Sequence, residues 1–188
     1  MVYEKAELEH NMINDILLKM KSSIFKVLIF SIAFAFVEAA VVVYLRNLLQ
    51  AGAFDNAINS KETLLLIPGI AFLDPRTAVK IISNTQILSI ERYREFATLI
   101  MLASVAWISG KNFKQQIAYF FFAFGVWDIF YYVFLRLTIG WPKGLSDLDI
   151  FFLLPVPWVG PVIVPIAISL ILILLSAAYL QRVNRKQA

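Results

Sequence analysis

One carboxylate lies in a part of the chain where its charge is costly. Asp128 sits within residues 120–135, which are otherwise apolar or aromatic and, with their flanks, long enough to form a helix that crosses a bilayer. Placing a charged side chain at the centre of such a helix costs about 2.5–3.5 kcal/mol on insertion scales. Asp128 is therefore expected to face the interior of the protein and to have a partner there.

Acidic residues of two other predicted helices reach a similar depth. At about 1.5 Å per residue, Glu38 lies about 21 Å, Asp128 about 18 Å and Glu95 about 20 Å above the cytoplasmic edge of a core about 30 Å thick. Tyr131 and Tyr132 share a helical face with Asp128, and a tyrosine hydroxyl can donate a hydrogen bond to a carboxylate. The predicted cluster consists of Glu38, Glu91, Arg94, Glu95, Asp128, Tyr131 and Tyr132.

Arginine is the expected counter-charge of this cluster. Glu91 and Glu95 are one helical turn apart and repel each other unless a cation lies beside them, which Arg92 or Arg94 can supply. Buried ions are generally paired, so we expect Arg94 to lie among the acids and to be the partner of Asp128.

Three functions are compatible with such a cluster. In the first, it is a structural network of ion pairs that fixes how the helices pack. In the second, it binds a polar small ligand or a hard cation such as Mg²⁺, Ca²⁺ or Mn²⁺, with Glu38, Glu95 and Asp128 as the metal ligands. In the third, the protein is a membrane enzyme that uses paired carboxylates. The chain has no Ser-His, Cys-His or phosphate-loop pattern, so the sequence favours a protein that is not an enzyme.

Composition excludes several kinds of cofactor site. Cysteine is absent, and His10 is the only histidine. Iron–sulfur clusters and zinc–thiolate sites are therefore excluded, and protein-ligated haem or copper is not expected, because these metals prefer thiolate, thioether or imidazole ligands. No cofactor is predicted apart from the hard divalent cation. The net charge of +4 indicates membrane topology rather than nucleic-acid binding.

The apolar residues fall in blocks that predict an all-α membrane protein. Hydrophobic residues make up 60% of the 188 positions and charged residues 16%, against about a quarter in soluble domains. Four blocks reach the length that a transmembrane helix needs, about 17–25 residues. They are residues 24–45, 85–108, 116–137 and 162–180. Residues 1–188 are expected to form a single membrane domain whose principal partner is the lipid bilayer.

Three further segments have distinct patterns. Residues 1–23 repeat apolar side chains at helical spacing among charges, which predicts an amphipathic helix on the membrane surface. Residues 64–73 are apolar but too short to span, so a re-entrant or interfacial outer segment is expected. Residues 150–160 are apolar but interrupted by prolines, so they are expected to pack against the protein.

Lysine and arginine set the predicted orientation. Four spans place three groups of positive charge on one side of the membrane, and this side is expected to be cytoplasmic, with both termini. The groups are Lys19, Lys21 and Lys26, then Lys111 and Lys114, then Arg182, Arg185 and Lys186. On the other side, Arg46 is expected to extend to the lipid headgroups, and Asp147 and Asp149 to lie in a solvated loop.

Five segments together resemble a group of small, uncharacterised prokaryotic integral-membrane proteins. They are residues 36–46 (FVEAAVVVYLR), 91–95 (ERYRE), 124–132 (FGVWDIFYY), 140–142 (GWP) and 155–161 (PVPWVGP). The resemblance implies a multi-pass protein of a prokaryotic cell membrane and carries no activity with it. The small size and the aromatic third span also suit an accessory subunit bound to other membrane subunits, with the cluster purely structural.

Overall fold

The computed structural model shows five helices and four short strands among the residues that it describes. The backbone is described for residues 2–48 and 63–186, and side chains for residues 23–47, 63–79 and 82–183. In chain order the elements are α1 (Val2–Leu48), β1 (Thr63–Ile67), β2 (Ile70–Leu73), α2 (Thr77–Ile81), α3 (Thr85–Ser109), α4 (Phe113–Ile139), β3 (Leu148–Phe152), β4 (Trp158–Pro161) and α5 (Ile163–Lys186).

Three helices contain segments long and apolar enough to cross a membrane. The segments are Ser23–Asn47 in α1, Phe113–Ile139 in α4 and Ile163–Val183 in α5. This agrees with the prediction of a helical membrane protein. The remaining predicted span, residues 85–108, forms α3. This helix is not among the three that are apolar enough to cross a membrane, because its first half is charged. The charged residues are Glu91, Arg92, Arg94 and Glu95.

The boundary predicted near residue 23 is not a break in the helix. Residues 2–48 form one continuous helix, α1, so the predicted surface helix continues into the first apolar segment. Side chains of residues 1–22 lie outside those that the structure describes. The amphipathic character of residues 1–23 therefore stays a prediction.

A small antiparallel sheet corrects the prediction of an all-α fold. Its strand order is β1-β2-β4-β3. The segment 64–73 forms most of the β1–β2 hairpin, and the segment 150–160 contributes to β3 and β4. Ala71 pairs with Val159 and Phe72 with Trp158, so the sheet joins two connections that lie far apart in sequence. The interrupted segment is packed against the protein, as predicted, with Leu153 and Val159 buried.

The β1–β2 hairpin follows from its turn. Ile67 pairs with Ile70, which leaves Pro68 and Gly69 as a two-residue turn. Gly69 has a φ of +84°, a conformation that glycine adopts at little cost. A Pro-Gly pair between two apolar runs is a recognised turn signal. Apolar runs of about four to eight residues cannot be assigned to strand or helix from periodicity alone, which is why the sequence analysis missed the strands.

Helix α4 is central and packs against α1, α3 and α5. Asn112 begins α4 by accepting a hydrogen bond from the Gln115 N–H, and Gly140, with a φ of +69°, follows its last turn. The contact with α5 is close because Gly125 has no side chain: a Cβ there would lie 2.7 Å from the Ser169 carbonyl oxygen. The contact places the polar Ser169 directly against α4.

Candidate functional site

A pocket of about 100 Å³ lies where the helices meet the sheet. Its walls come from α1, α3, α4 and β3. All seven residues of the predicted cluster line it: Glu38, Glu91, Arg94, Glu95, Asp128, Tyr131 and Tyr132. About 10–15 Å³ holds one water molecule, so the pocket has room for several waters or for a small polar ligand.

Arg94 joins α1 to α3 at one end of the pocket. Its Nη1 forms an ion pair with Glu38, and its Nη2 lies 2.8 Å from Glu91 Oε2. Arg94 Nε also donates to Glu91 Oε2, at 2.9 Å. Arg94 therefore is the counter-charge of two predicted acids. It holds Glu91 in the i, i+3 geometry that a helix allows and reaches Glu38 across the helix–helix contact.

Glu95 accepts hydrogen bonds from the backbone just after β3 rather than forming an ion pair with an arginine. Both of its carboxylate oxygens accept from the Leu153 N–H, at 3.0 and 2.9 Å. The predicted ion pair with Arg94 is not formed here. Glu95 instead holds the chain just after β3 against α3, because the Leu153 N–H would otherwise be a buried donor without a partner.

Asp128 has a hydroxyl partner, and the prediction that Arg94 pairs with it is wrong. Ser169 Oγ, on α5, donates to Asp128 Oδ2 at 2.8 Å. Asp128 is 8% exposed and lines the pocket, and among the described residues it forms no ion pair. Ser169 is one of two serines in the apolar part of α5, and a hydroxyl in such a helix is the signal that would have marked it as a candidate donor.

A second arginine forms an ion pair in the lining of the pocket on the side of β3, and the sequence analysis missed it. Arg46 Nη2 lies 3.5 Å from Asp149 Oδ1, and the Tyr132 hydroxyl donates to Asp149 Oδ2 at 3.0 Å. The Arg46 guanidinium also lies 3.9 Å from the centroid of the Trp141 ring, a cation–π contact. The prediction of Arg46 among the headgroups and of Asp149 in a solvated loop is therefore wrong. The tyrosine that donates to a carboxylate is Tyr132, and its acceptor is Asp149.

Asp149 is a titratable group that the fold holds in an unusual environment. It lies in β3, outside the three apolar helices, with its side chain 9% exposed. Burial raises the pKa of Asp149 to about 6, and Arg46 and the Tyr132 hydroxyl only partly oppose the rise. Asp149 therefore changes charge in a mildly acidic range.

The acids do not gather around one point. In the part of the chain that the structure describes, no three acidic, histidine or cysteine side chains form a group that could hold a metal ion. The three residues predicted as metal ligands have separate partners: Arg94 for Glu38, the Leu153 N–H for Glu95 and Ser169 for Asp128. The pocket thus presents single carboxylates rather than a ready ligand set for Mg²⁺, Ca²⁺ or Mn²⁺.

The chain matches no protein-family model, no curated protein and no solved structure. The resemblance to small prokaryotic membrane proteins therefore stays a prediction. Function has to follow from the contacts and charges of the pocket itself.

Proposed function

We propose that the pocket binds a small organic cation, such as a primary ammonium ion, at the carboxylate of Asp128. One observation carries this proposal. Asp128 is the one acid of the lining that has neither a cation nor a backbone N–H as partner among the described residues. A carboxylate so deeply buried is costly unless it binds a proton or a counter-charge reaches it, and a bound cation would supply that charge.

The balance of charge around the pocket supports a cationic ligand. Five carboxylates line it, from Glu38, Glu91, Glu95, Asp128 and Asp149, together with two guanidinium groups, from Arg46 and Arg94. Even with both arginines paired, the lining keeps an excess of acidic groups. An anionic ligand would meet repulsion there, whereas a cation completes the balance.

The size and the walls of the pocket favour an organic cation over a metal ion. A cavity of about 150 Å³ can hold benzene, so a volume of about 100 Å³ suits a ligand of only a few heavy atoms. Trp127 and Tyr131 stack with ring centroids 6.2 Å apart and line the pocket beside Asp128. Aromatic faces attract ammonium groups by about 0.5–2 kcal/mol, so they would add to the pull of the carboxylate.

A thermal-stability assay with defined probes tests the proposal. The purified protein in lipid nanodiscs is heated with ethylammonium, tetramethylammonium, Na⁺ or Mg²⁺ chloride at constant ionic strength. A ligand that binds only the folded state stabilises it by about 2.7 kcal/mol at one hundred times its Kd. We expect ethylammonium to raise the apparent Tm in a saturable way, and to raise it more than Mg²⁺ does.

Two matched variants locate the effect. Asp128→Asn removes the charge but keeps an oxygen that can accept from Ser169, and it should abolish the ethylammonium response. Asp74→Asn makes the same change outside the pocket, where Asp74 Oδ1 accepts from the Arg76 N–H at 2.8 Å, and should leave the response intact. An equal response in wild type and Asp128→Asn would show that the cation does not bind at Asp128. No response in wild type would exclude small organic cations as ligands of the pocket.

We further propose that α3 is a fourth span, so that both termini lie in the cytoplasm of a prokaryotic cell. A short turn at residues 110–112 folds α3 back along α4, and its exposed face carries Ile100, Met101, Trp107 and Ile108. Its charged residues Glu91 and Glu95 are buried toward the pocket. The chain has no cysteine, so single cysteines at Arg76, Lys111 and Ser146 report sidedness cleanly. Lys111→Cys should be labelled only from the cytoplasm, and Arg76→Cys and Ser146→Cys only from outside. Arg76 and Lys111 lie on either side of α3, so labelling of both from one side would contradict a span at α3.

A structural role in a larger membrane complex is the second candidate. It is favoured by the fact that all five acids already have an ion-pair or hydrogen-bond partner within the fold. If this is the main role, no cation stabilises the wild type, and gentle detergent extraction recovers the protein with other membrane subunits. Migration as a single small protein that responds to ethylammonium would favour the binding function.

A further inference from the structure

Strand β1 is apolar and exposed on both faces. Leu64, Leu65 and Leu66 are 59%, 56% and 73% exposed, and Ile67 is exposed as well. After a register shift at Leu64, side chains alternate between the two faces over residues 65–67, so both faces of β1 are apolar there. A strand at the surface of a water-soluble sheet normally has one polar face. β1 is also an edge of the sheet, so nothing in the sheet covers its outer side.

The hairpin lies beside the first turn of a membrane helix. A Cβ built at Gly69, in the β1–β2 turn, would lie 2.6 Å from Val164 Cγ2, so the turn packs directly against the start of α5. The segment Ile163–Val183 has the highest mean hydropathy of the three candidate spans, 2.6. Its exposed side chains Ile163, Ile168 and Ile171 continue the apolar surface away from the turn. The turn that ends β1 and the first turn of α5 are therefore in contact, and apolar exposed side chains lie on both elements next to this contact.

We propose that β1 is a membrane contact that inserts its leucines among the lipid acyl chains at the edge of the bilayer, beside the first turn of α5. The unpaired backbone groups on the outer side of β1 limit how deep it goes, because hydrocarbon offers them no hydrogen-bond partner. The strand therefore lies at the boundary between acyl chains and headgroups. There, Leu64, Leu65 and Leu66 reach acyl chains while water and headgroups satisfy the backbone.

Lipid explains this surface better than a second copy of the chain does. An exposed apolar edge can pair with another strand, and pairing would satisfy the backbone of β1. Such pairing would leave both apolar faces of β1 exposed, because only the edge is covered. At the bilayer boundary, acyl chains cover the apolar faces while water and headgroups satisfy the backbone at the edge. Acyl chains already surround α5 in any membrane arrangement of this helix.

Spin labelling of the cysteine-free chain tests the contact. A nitroxide label is placed at Leu66→Cys in nanodiscs, and its collision rates with oxygen and with a water-soluble nickel complex are measured. Ile171→Cys, exposed on α5, is the lipid reference, and Ser146→Cys, in the exposed loop before β3, is the water reference. We expect the Leu66 label to resemble the Ile171 label, with oxygen favoured over nickel.

Two results would overturn the proposal. Nickel accessibility at Leu66 equal to that at Ser146 would place β1 in water. Dipolar broadening that disappears when labelled chains are diluted with unlabelled ones would show that β1 faces a second copy. A label at Leu65→Cys repeats the measurement on the other face of β1, so that one variant that fails to fold does not decide the result.

Discussion

Ser169 Oγ donates a 2.8 Å hydrogen bond to Asp128 Oδ2 and thereby joins two helices that each can cross a membrane. The bond forms where Gly125 lets α5 approach α4 closely. It satisfies one oxygen of the buried carboxyl group and holds Asp128 in place in the lining of the pocket.

A double-mutant cycle should measure this bond. Ser169→Ala, Asp128→Ala and the double variant should give a coupling energy of about 0.5–2 kcal/mol, in the range found for polar contacts between membrane helices. The measurement is the free energy of unfolding in mixed micelles. Ser176→Ala is the control, because Ser176 bonds to the Leu172 carbonyl of its own helix. Zero coupling energy between Ser169 and Asp128 would show that the hydrogen bond does not contribute to the free energy of unfolding.

Gly125→Ala should force α4 and α5 apart. The new Cβ would lie 2.7 Å from the Ser169 carbonyl oxygen and 2.8 Å from Ile173 Cγ1, and the backbone oxygen cannot rotate away. We expect a loss of about 1–3 kcal/mol in the free energy of unfolding, as for other overpacked contacts. Gly144→Ala is the control, because its Cβ would have no heavy atom closer than 3.8 Å. If both variants behave alike, the contact is looser than the structure shows.

Arg94→Leu should be strongly destabilising, because it leaves Glu38 and Glu91 buried without their counter-charge. Removing one partner of a buried ion pair costs about 3–5 kcal/mol, and partial exposure of Arg94 places the expected loss at the lower end. Adding Glu38→Gln and Glu91→Gln to Arg94→Leu removes the uncompensated charges. The triple variant should therefore have a higher free energy of unfolding than Arg94→Leu, measured in the same assay. A triple variant that is less stable than Arg94→Leu would argue that the buried charges are not the cause of the loss.

Asp149 should make stability depend on pH between about 4 and 6. Its pKa is raised to about 6 in the fold, against about 3.9 in an unfolded chain, so the folded state binds the proton more tightly. Its stabilising contribution is complete below pH 4 and is lost as pH rises through 6, a change of about 2–3 kcal/mol. Relative to Asp149→Asn, the wild type should gain stability when pH falls from 7 to 4. Thermal unfolding of both proteins across this range is the check, and a constant difference would contradict it.

The membrane helices and the members of the cluster could be predicted from the sequence because their signals are local. Long apolar blocks mark α1, α4 and α5, and residue counts along regular helices predict that Glu38, Glu95 and Asp128 lie together, as they do in the lining of the pocket. The pairing of Arg94 with Glu91 follows from i, i+3 spacing on one helix. Each of these features depends on residues within one helix.

The features that the sequence did not predict depend on contacts between distant residues. Arg46 and Asp149 are 103 positions apart, and Ser169 and Asp128 are 41 apart. The sheet depends on pairing Ala71 with Val159. Charge and burial indicate that such residues need partners, but the choice of partner is made by how helices and strands pack.

Calorimetric titration of ethylammonium into the wild-type protein and into Asp128→Asn, in matched nanodiscs at pH 7, tests the central claim most directly. The account predicts saturable binding of one ethylammonium ion per chain to the wild type and none to Asp128→Asn. Equal binding to both proteins, or no binding to the wild type, would contradict it.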